Sequence, residues 1–166
     1  MLNKTSIFLA VIVIILAAPV LQAEEFKSPE AFTEYIYANY AEENFEEVFN
    51  NFAAELKRII TVEDYLEFQQ QNFKKYKLEY QEIEVSAAEE IDFEKIKDKF
   101  DYAQDFGDYY QLQVSYLLKF DHFGQREERS EKKVYIRKIN ADYQLFWDYQ
   151  SAFNDDQDQT GAGQDE

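Results

Sequence analysis

The sequence predicts an α+β fold, helices first and an antiparallel meander after them, and three observations carry that expectation. From Ser28 to Tyr76 the large apolar residues recur at steps of three and four. Beyond Leu78 they alternate by twos in long runs. After the first 23 residues only Pro29, Gly107 and Gly124 interrupt the chain before Gly161, so regular structure is continuous and no linker divides it. A run of helices followed by a run of strands packs as two layers, helices on one face of a sheet.

The start, "MLNKTSIFLAVIVIILAAPVLQAEEF", has the parts of an export signal: Lys4, the apolar run Ile7 to Leu16, and a small residue for cleavage at Ala23. Pro19 disfavours cleavage after Ala18. The apolar stretch with its proline also falls short of the roughly 20 residues of a spanning helix. The expected organisation is therefore a signal peptide over 1–23, one α+β domain over 24–153 and an acidic tail over 154–166.

Ser28-Pro29 opens the first helix, a capping side chain followed by a residue with φ already set for the first turn. Phe32, Tyr35, Ile36 and Tyr40 share its apolar face. Asn44 caps a second helix carrying Phe45, Val48, Phe49, Phe52, Leu56, Ile59 and Ile60. Thr61 with Asp64 makes a capping box for a third helix with Val62, Tyr65, Leu66, Phe73 and Tyr76. Each helix has an acidic or amide-rich back and must lay its stripe against something.

"KLEYQEIEV" switches phase between Leu78, Tyr80 and Ile83, Val85, which predicts a strand with a bulge. In the segment 88–106, Ile96 and Phe100 are spaced for a short helix. "DYYQLQVSYLLKF" alternates six large residues from Tyr110 to Phe120, and Asp121-His122-Phe123-Gly124 turns the chain. A partner strand runs over about 129–139. After Asn140-Ala141-Asp142 a last strand places Tyr143, Leu145, Trp147 and Tyr149 on one phase. The aromatic phases of these strands are expected to face the helices, and the other side of the sheet to face water.

Charge and cysteine content narrow the function classes. With 17 basic against 34 acidic residues the net charge is −17, a poor match for nucleic acid or for anionic membrane surfaces. The absence of cysteine excludes a lipid-modified terminus and disulfides. The expected destination is the periplasm or the outside medium, with no membrane contact after signal cleavage, as a monomer or homodimer.

The helix pair "SPEAFTEYIYANYAEENFEEVFNNFAAEL", the strand "DYYQLQVSYLLKF" and the closing "YIRKINADYQLFWDY" together resemble the NTF2-like (cystatin-like cone) superfamily, in particular its exported bacterial members. The resemblance spans about residues 28–151 and implies a curved sheet closed over by helices. Enzymes of that superfamily generally work with an aspartate, histidine or tyrosine inside the cone. None of those catalytic positions matches here, and fold membership does not confer an activity.

Tyr110, Tyr116, Tyr143, Trp147 and Tyr149 are the candidate lining of a ligand pocket, since a phenol joins an apolar body to a polar tip; the competing reading makes them core residues. His122, the single histidine, reads as a surface turn residue and not as a base. One histidine without cysteine gives no transition-metal site, and no cofactor is expected. Asp156, Asp158, Thr160 and Gly161 copy the first half of an EF-hand loop whose closing glutamate is missing.

The leading expectation is an exported non-catalytic domain that binds a partner protein or a small apolar ligand. The alternative is a lyase or isomerase using a pocket tyrosine with a carboxylate such as Asp101 or Glu90. A third reading is a structural envelope protein assembling through Gln111, Gln113, Ser115 and Leu117.

Overall fold

Helices and an antiparallel sheet divide the chain as the α+β reading requires. The computed structural model describes residues 26–121 and 124–158, with side chains through 153. The leader 1–23, His122, Thr160 and Gly161 lie outside the described residues. Helix α1 spans Pro29–Ala41, and the Ser28 hydroxyl accepts from the Ala31 N–H at 3.2 Å. Thr33 is buried on its inner face and donates its hydroxyl to the Pro29 carbonyl at 2.9 Å, so no polar atom is stranded there. Helix α3 spans Val62–Tyr76 and opens on the expected capping box, Thr61 and Asp64 each satisfying the other's backbone N–H.

The second helix is far shorter than its periodicity predicts. Helix α2 covers only Phe45–Asn50, followed by an irregular stretch and a 3-10 turn over Leu56–Arg58. The interruption has a tertiary cause. The Asn51 carbonyl accepts from the Leu145 N–H at 2.8 Å and the Ala53 N–H donates to the Leu145 carbonyl at 2.9 Å, so this stretch docks as a fragment of strand on the sheet edge. Backbone groups lost to the helix find equivalent partners there, as buried backbone must. Phe52, Ala53 and Leu56 remain fully buried.

The sheet consists of β1 (Glu79–Val85), β2 (Glu89–Ile91), β3 (Asp108–Asp121), β4 (Gln125–Ile139) and β5 (Asp142–Phe146). Its order is β1-β3-β4-β5, all antiparallel, with β2 lying beyond β1 on the same edge of β3. The predicted bulge is present: register shifts between Gln81 and Glu84, and Glu82 takes φ 48°. Gly124 closes the β3–β4 hairpin at φ 116°, and its N–H donates to Asp121 at 3.2 Å. The last strand is shorter than its alternation suggests. Asp148 accepts from the Ser151 N–H and hydroxyl, and α5 runs Tyr149–Asp158. Tyr149 is thus helical, and α5 covers the first five residues of the segment read as a tail.

Alternation on β3 correctly separates its faces. Leu112, Val114 and Tyr116 are buried against Ile36, Tyr37, Phe45, Phe73 and Tyr65 of the helices. The opposite face is not left to water throughout, which corrects the expectation. Helix α4 (Phe93–Lys97) and the turns after it cover one end of it, where Ile91, Ile96, Phe100, Tyr109 and Phe146 form a second apolar cluster. A five-residue helix has no stability alone. Burying Ile96 and Phe100, about 1.5–3 kcal/mol each, holds it in place.

Candidate functional site

Unequal strand lengths create a cleft between the sheet and the helices. Strand β5 pairs with β4 only over Tyr135–Ile139, while β4 continues back to Gln125 beside β3. Past the end of β5 the outer edge of β4 therefore pairs with no strand among the described residues, and Trp147 lies beside its helix-facing side. Its indole stacks on Phe52 with centroids 5.7 Å apart and meets the edge of Tyr65 at 5.1 Å. Between this corner and the helices lies a cavity of about 80 Å³. Val134 and Leu145 are its floor, the rings of Tyr37, Tyr40, Tyr65, Tyr80 and Tyr116 its walls, and Lys132 part of its rim.

Five converging phenols share one electrostatic state. Burial pushes Tyr37, Tyr40 and Tyr65 well above the ordinary phenol value, and Tyr80 up to about 12; the nearby phenols oppose one another's ionisation further. Tyr40 donates to the buried Gln69 side chain at 2.8 Å. These groups are neutral hydrogen-bonding tips near neutral pH and not bases. Lys132 reaches solvent through the mouth yet is surrounded by protein. That desolvation lowers its ammonium pKa, while Asp148 works in the other direction.

Of the candidate pocket residues, Tyr116 and Trp147 line this cleft. Tyr143 is buried and stacks on Phe32, with centroids 5.5 Å apart. Tyr110 lies half-buried at the far end of β3, opposite Glu90 and Ile136. Tyr149 faces a separate open groove between α3 and α5, with Ile59, Phe68 and Phe153. Tyr37, Tyr40, Tyr65 and Tyr80 were missed because they come from three elements whose convergence no local spacing encodes. A count of tyrosines on inward helical stripes was the one available signal.

Carboxylates stay out of this cleft: no Asp or Glu is among its lining residues. Asp101 is exposed and accepts from the Gln150 amide, and Glu90 is exposed on β2, so neither forms the tyrosine–carboxylate couple that the alternative reading needs. Among the described residues no three His, Cys, Asp or Glu side chains converge as a metal would require.

Among the described residues one ionised couple is buried, on the other side of the sheet. Arg137 is fully buried and Glu55 nearly so, joined by two hydrogen bonds of 2.7 and 2.8 Å. Gln144 and the Gln104 carbonyl accept from the same guanidinium at 2.6 and 3.3 Å, and the Phe106 ring covers it at 3.9 Å. Burial raises the Glu55 carboxyl, but the bonds from Arg137 outweigh it and hold the group below its usual range. With every guanidinium nitrogen but Nε matched to an acceptor, the pair is a structural clasp. It ties the 51–58 stretch to β4 and to the 104–107 turn.

No family model matches the sequence, and no curated protein matches it. Among solved structures, the solution structure of a SEC-C motif containing protein from Rhodopseudomonas palustris aligns with a TM-score of 0.45 and 15% identity, over 72% of this chain and 76% of that one. A likeness of that strength carries no argument about family or activity. Among the described residues no helix is long and apolar enough to cross a membrane.

Proposed function

We propose that the protein is an exported, non-catalytic binding domain of NTF2-like form whose cleft takes a small apolar ligand. One observation carries the reading: a cavity walled by neutral phenols and an indole, floored by aliphatic side chains, without a carboxylate on its lining. Such a surface holds an apolar body and hydrogen-bonds one polar end, which is how ligand sites combine affinity with orientation. Helices covering one face of an antiparallel sheet, with the cleft between them, support the cone-like form. The apolar run from Ile7 to Leu16 with Ala23 after it supports export.

Volume limits the occupant. A cavity of about 150 Å³ is known to admit benzene, and this one is about half that size. The ligand is therefore a group of a few heavy atoms, or the tip of a longer molecule entering past Lys132.

Trp147 is the only tryptophan and stands in the cleft wall, so its emission reports occupancy directly. Titration with 1-butanol and with butyrate is expected to change that emission saturably, and Val134→Phe, which fills the floor, to abolish the change. A linear, unsaturable response to both probes overturns the ligand reading. Export is tested separately by the mass of the protein recovered from its native cell, expected to start at Glu24.

A further inference from the structure

From Glu127 to Lys133 the outer edge of β4 pairs with no strand among the described residues, because β5 reaches only as far as Tyr135. An open edge of this kind is a template for another strand. Its sequence, Glu127-Glu128-Arg129-Ser130-Glu131-Lys132-Lys133, is complementary in charge to itself when reversed about Ser130. We infer that β4 pairs antiparallel with β4 of a second copy of this chain, with Ser130 on the two-fold axis. Glu127 then stands opposite Lys133 of the second copy, Glu128 opposite Lys132, and Arg129 opposite Glu131. The symmetry makes each pair twice.

Charges on an edge commonly serve to repel other strands, and the pattern decides between the two roles. Moving the register by two residues sets Arg129 against Arg129 and Glu127 against Glu131, or else Glu131 against Glu131 and Arg129 against Lys133. Moving it by one sets Glu128 against Glu131 and Arg126 against Lys133, or else Arg129 against Lys132. A one-residue shift would also run the helix-facing side of one sheet into the outer side of the other. Among the registers that keep the helix-facing sides of the two sheets together, only the Ser130-centred one is free of like-charged pairs along this edge.

The side chains are free to take part. All six charged residues are exposed. Arg129 meets Glu82 across β3 at 2.9 Å and Glu131 accepts from Gln113; both contacts are exposed and of little worth, and both side chains turn from them to reach the second copy. Glu128 and Lys132 lie on the helix-facing side, so Glu128 of the second copy arrives at the rim of each aromatic cleft. Exposed ion pairs are screened by salt, so the dimer weakens as ionic strength rises.

The chain has no cysteine, which makes Ser130→Cys a clean probe. Opposed residues in an antiparallel pair have Cα atoms about 4.5–5.5 Å apart, within disulfide range. Mild oxidation of the full chain should cross-link S130C, while Arg126→Cys, whose counterpart lies roughly 25 Å away along the ladder, should form no disulfide-linked species. By light scattering after size exclusion at low salt, wild type should be dimeric and E127K/E128K and K132E/K133E each monomeric. An equimolar mixture of the two should recover the dimer mass, with circular dichroism confirming that all are folded. A wild type that stays monomeric at ~100 µM, variants that dimerise unmixed, or a mixture that fails to associate overturns the proposal.

Discussion

Replacing Glu55 by Gln should destabilise the protein more than any other single change of one polar atom. The amide leaves one acceptor for Arg137 but turns an N–H₂ toward a guanidinium that has only donors to offer. What remains for Arg137 is Gln144, the Gln104 carbonyl and the Phe106 ring, and its Nε already has no partner among the described residues. Exposed ion pairs contribute about 0–1 kcal/mol, but Arg137 is 0% exposed and Glu55 5%. Breaking one side of a pair so buried costs about 3–5 kcal/mol. With an m-value of about 2 kcal/mol/M, the urea midpoint should fall by roughly 2 M. Removing both charges, as Glu55→Leu with Arg137→Met, should recover at least half of that loss, since no unpaired charge remains.

Acid titration offers a second readout of the same couple. Glu55 has a folded-state pKa below its unfolded value. Its contribution is therefore complete above the ordinary glutamate value of about 4.3 and is lost as pH falls through the folded value. Glu55→Gln should remove that part of the acid-side loss. A midpoint shift below ~0.5 M, with a double variant no better than the single, would show a solvated pair of the exposed kind and refute the reasoning.

Three further outcomes follow from the geometry. Gly107 has φ 97°, and a Cβ there would stand 2.4 Å from the Lys138 carbonyl oxygen, so Gly107→Ala should cost about 1–3 kcal/mol in urea unfolding. Thr61→Ala removes the hydroxyl that caps α3 and should cost about 1 kcal/mol, with Thr61→Ser restoring most of it; equal losses from both would indicate a packing effect. Raised phenol pKa values mean that the unfolded chain gives up these protons first, so melting temperature should fall as pH climbs past about 10. Absorbance near 295 nm should then show Tyr37, Tyr40, Tyr65 and Tyr80 ionising only on unfolding or near pH 12 and beyond; titration of every tyrosine near the ordinary value in the folded state would contradict their burial.

Local patterns were readable where local chemistry decides. Ser28-Pro29 and Thr61 with Asp64 cap helices as their side chains dictate, and the phase change in "KLEYQEIEV" marks the bulge. The α2 stripe misled because its periodicity persists through Phe52 and Leu56 while the backbone leaves the helix to bond Leu145. Trp147 and Tyr149 misled in the opposite sense. Alternation continues on paper past Phe146, but Asp148 caps α5 instead.

Sequence by itself determined the α+β division, the inward phase of β3 and the strongly acidic surface, because each follows from side-chain type and spacing along one element. Only tertiary structure decided that Tyr37, Tyr65, Tyr80 and Trp147 share a cavity, that Glu55 and Arg137 meet across the sheet, and that β5 stops short of β4. Those facts depend on where chain ends and turns meet in space. Free energy there is set by burial and by hydrogen bonds between residues far apart in the chain, and no local pattern records it.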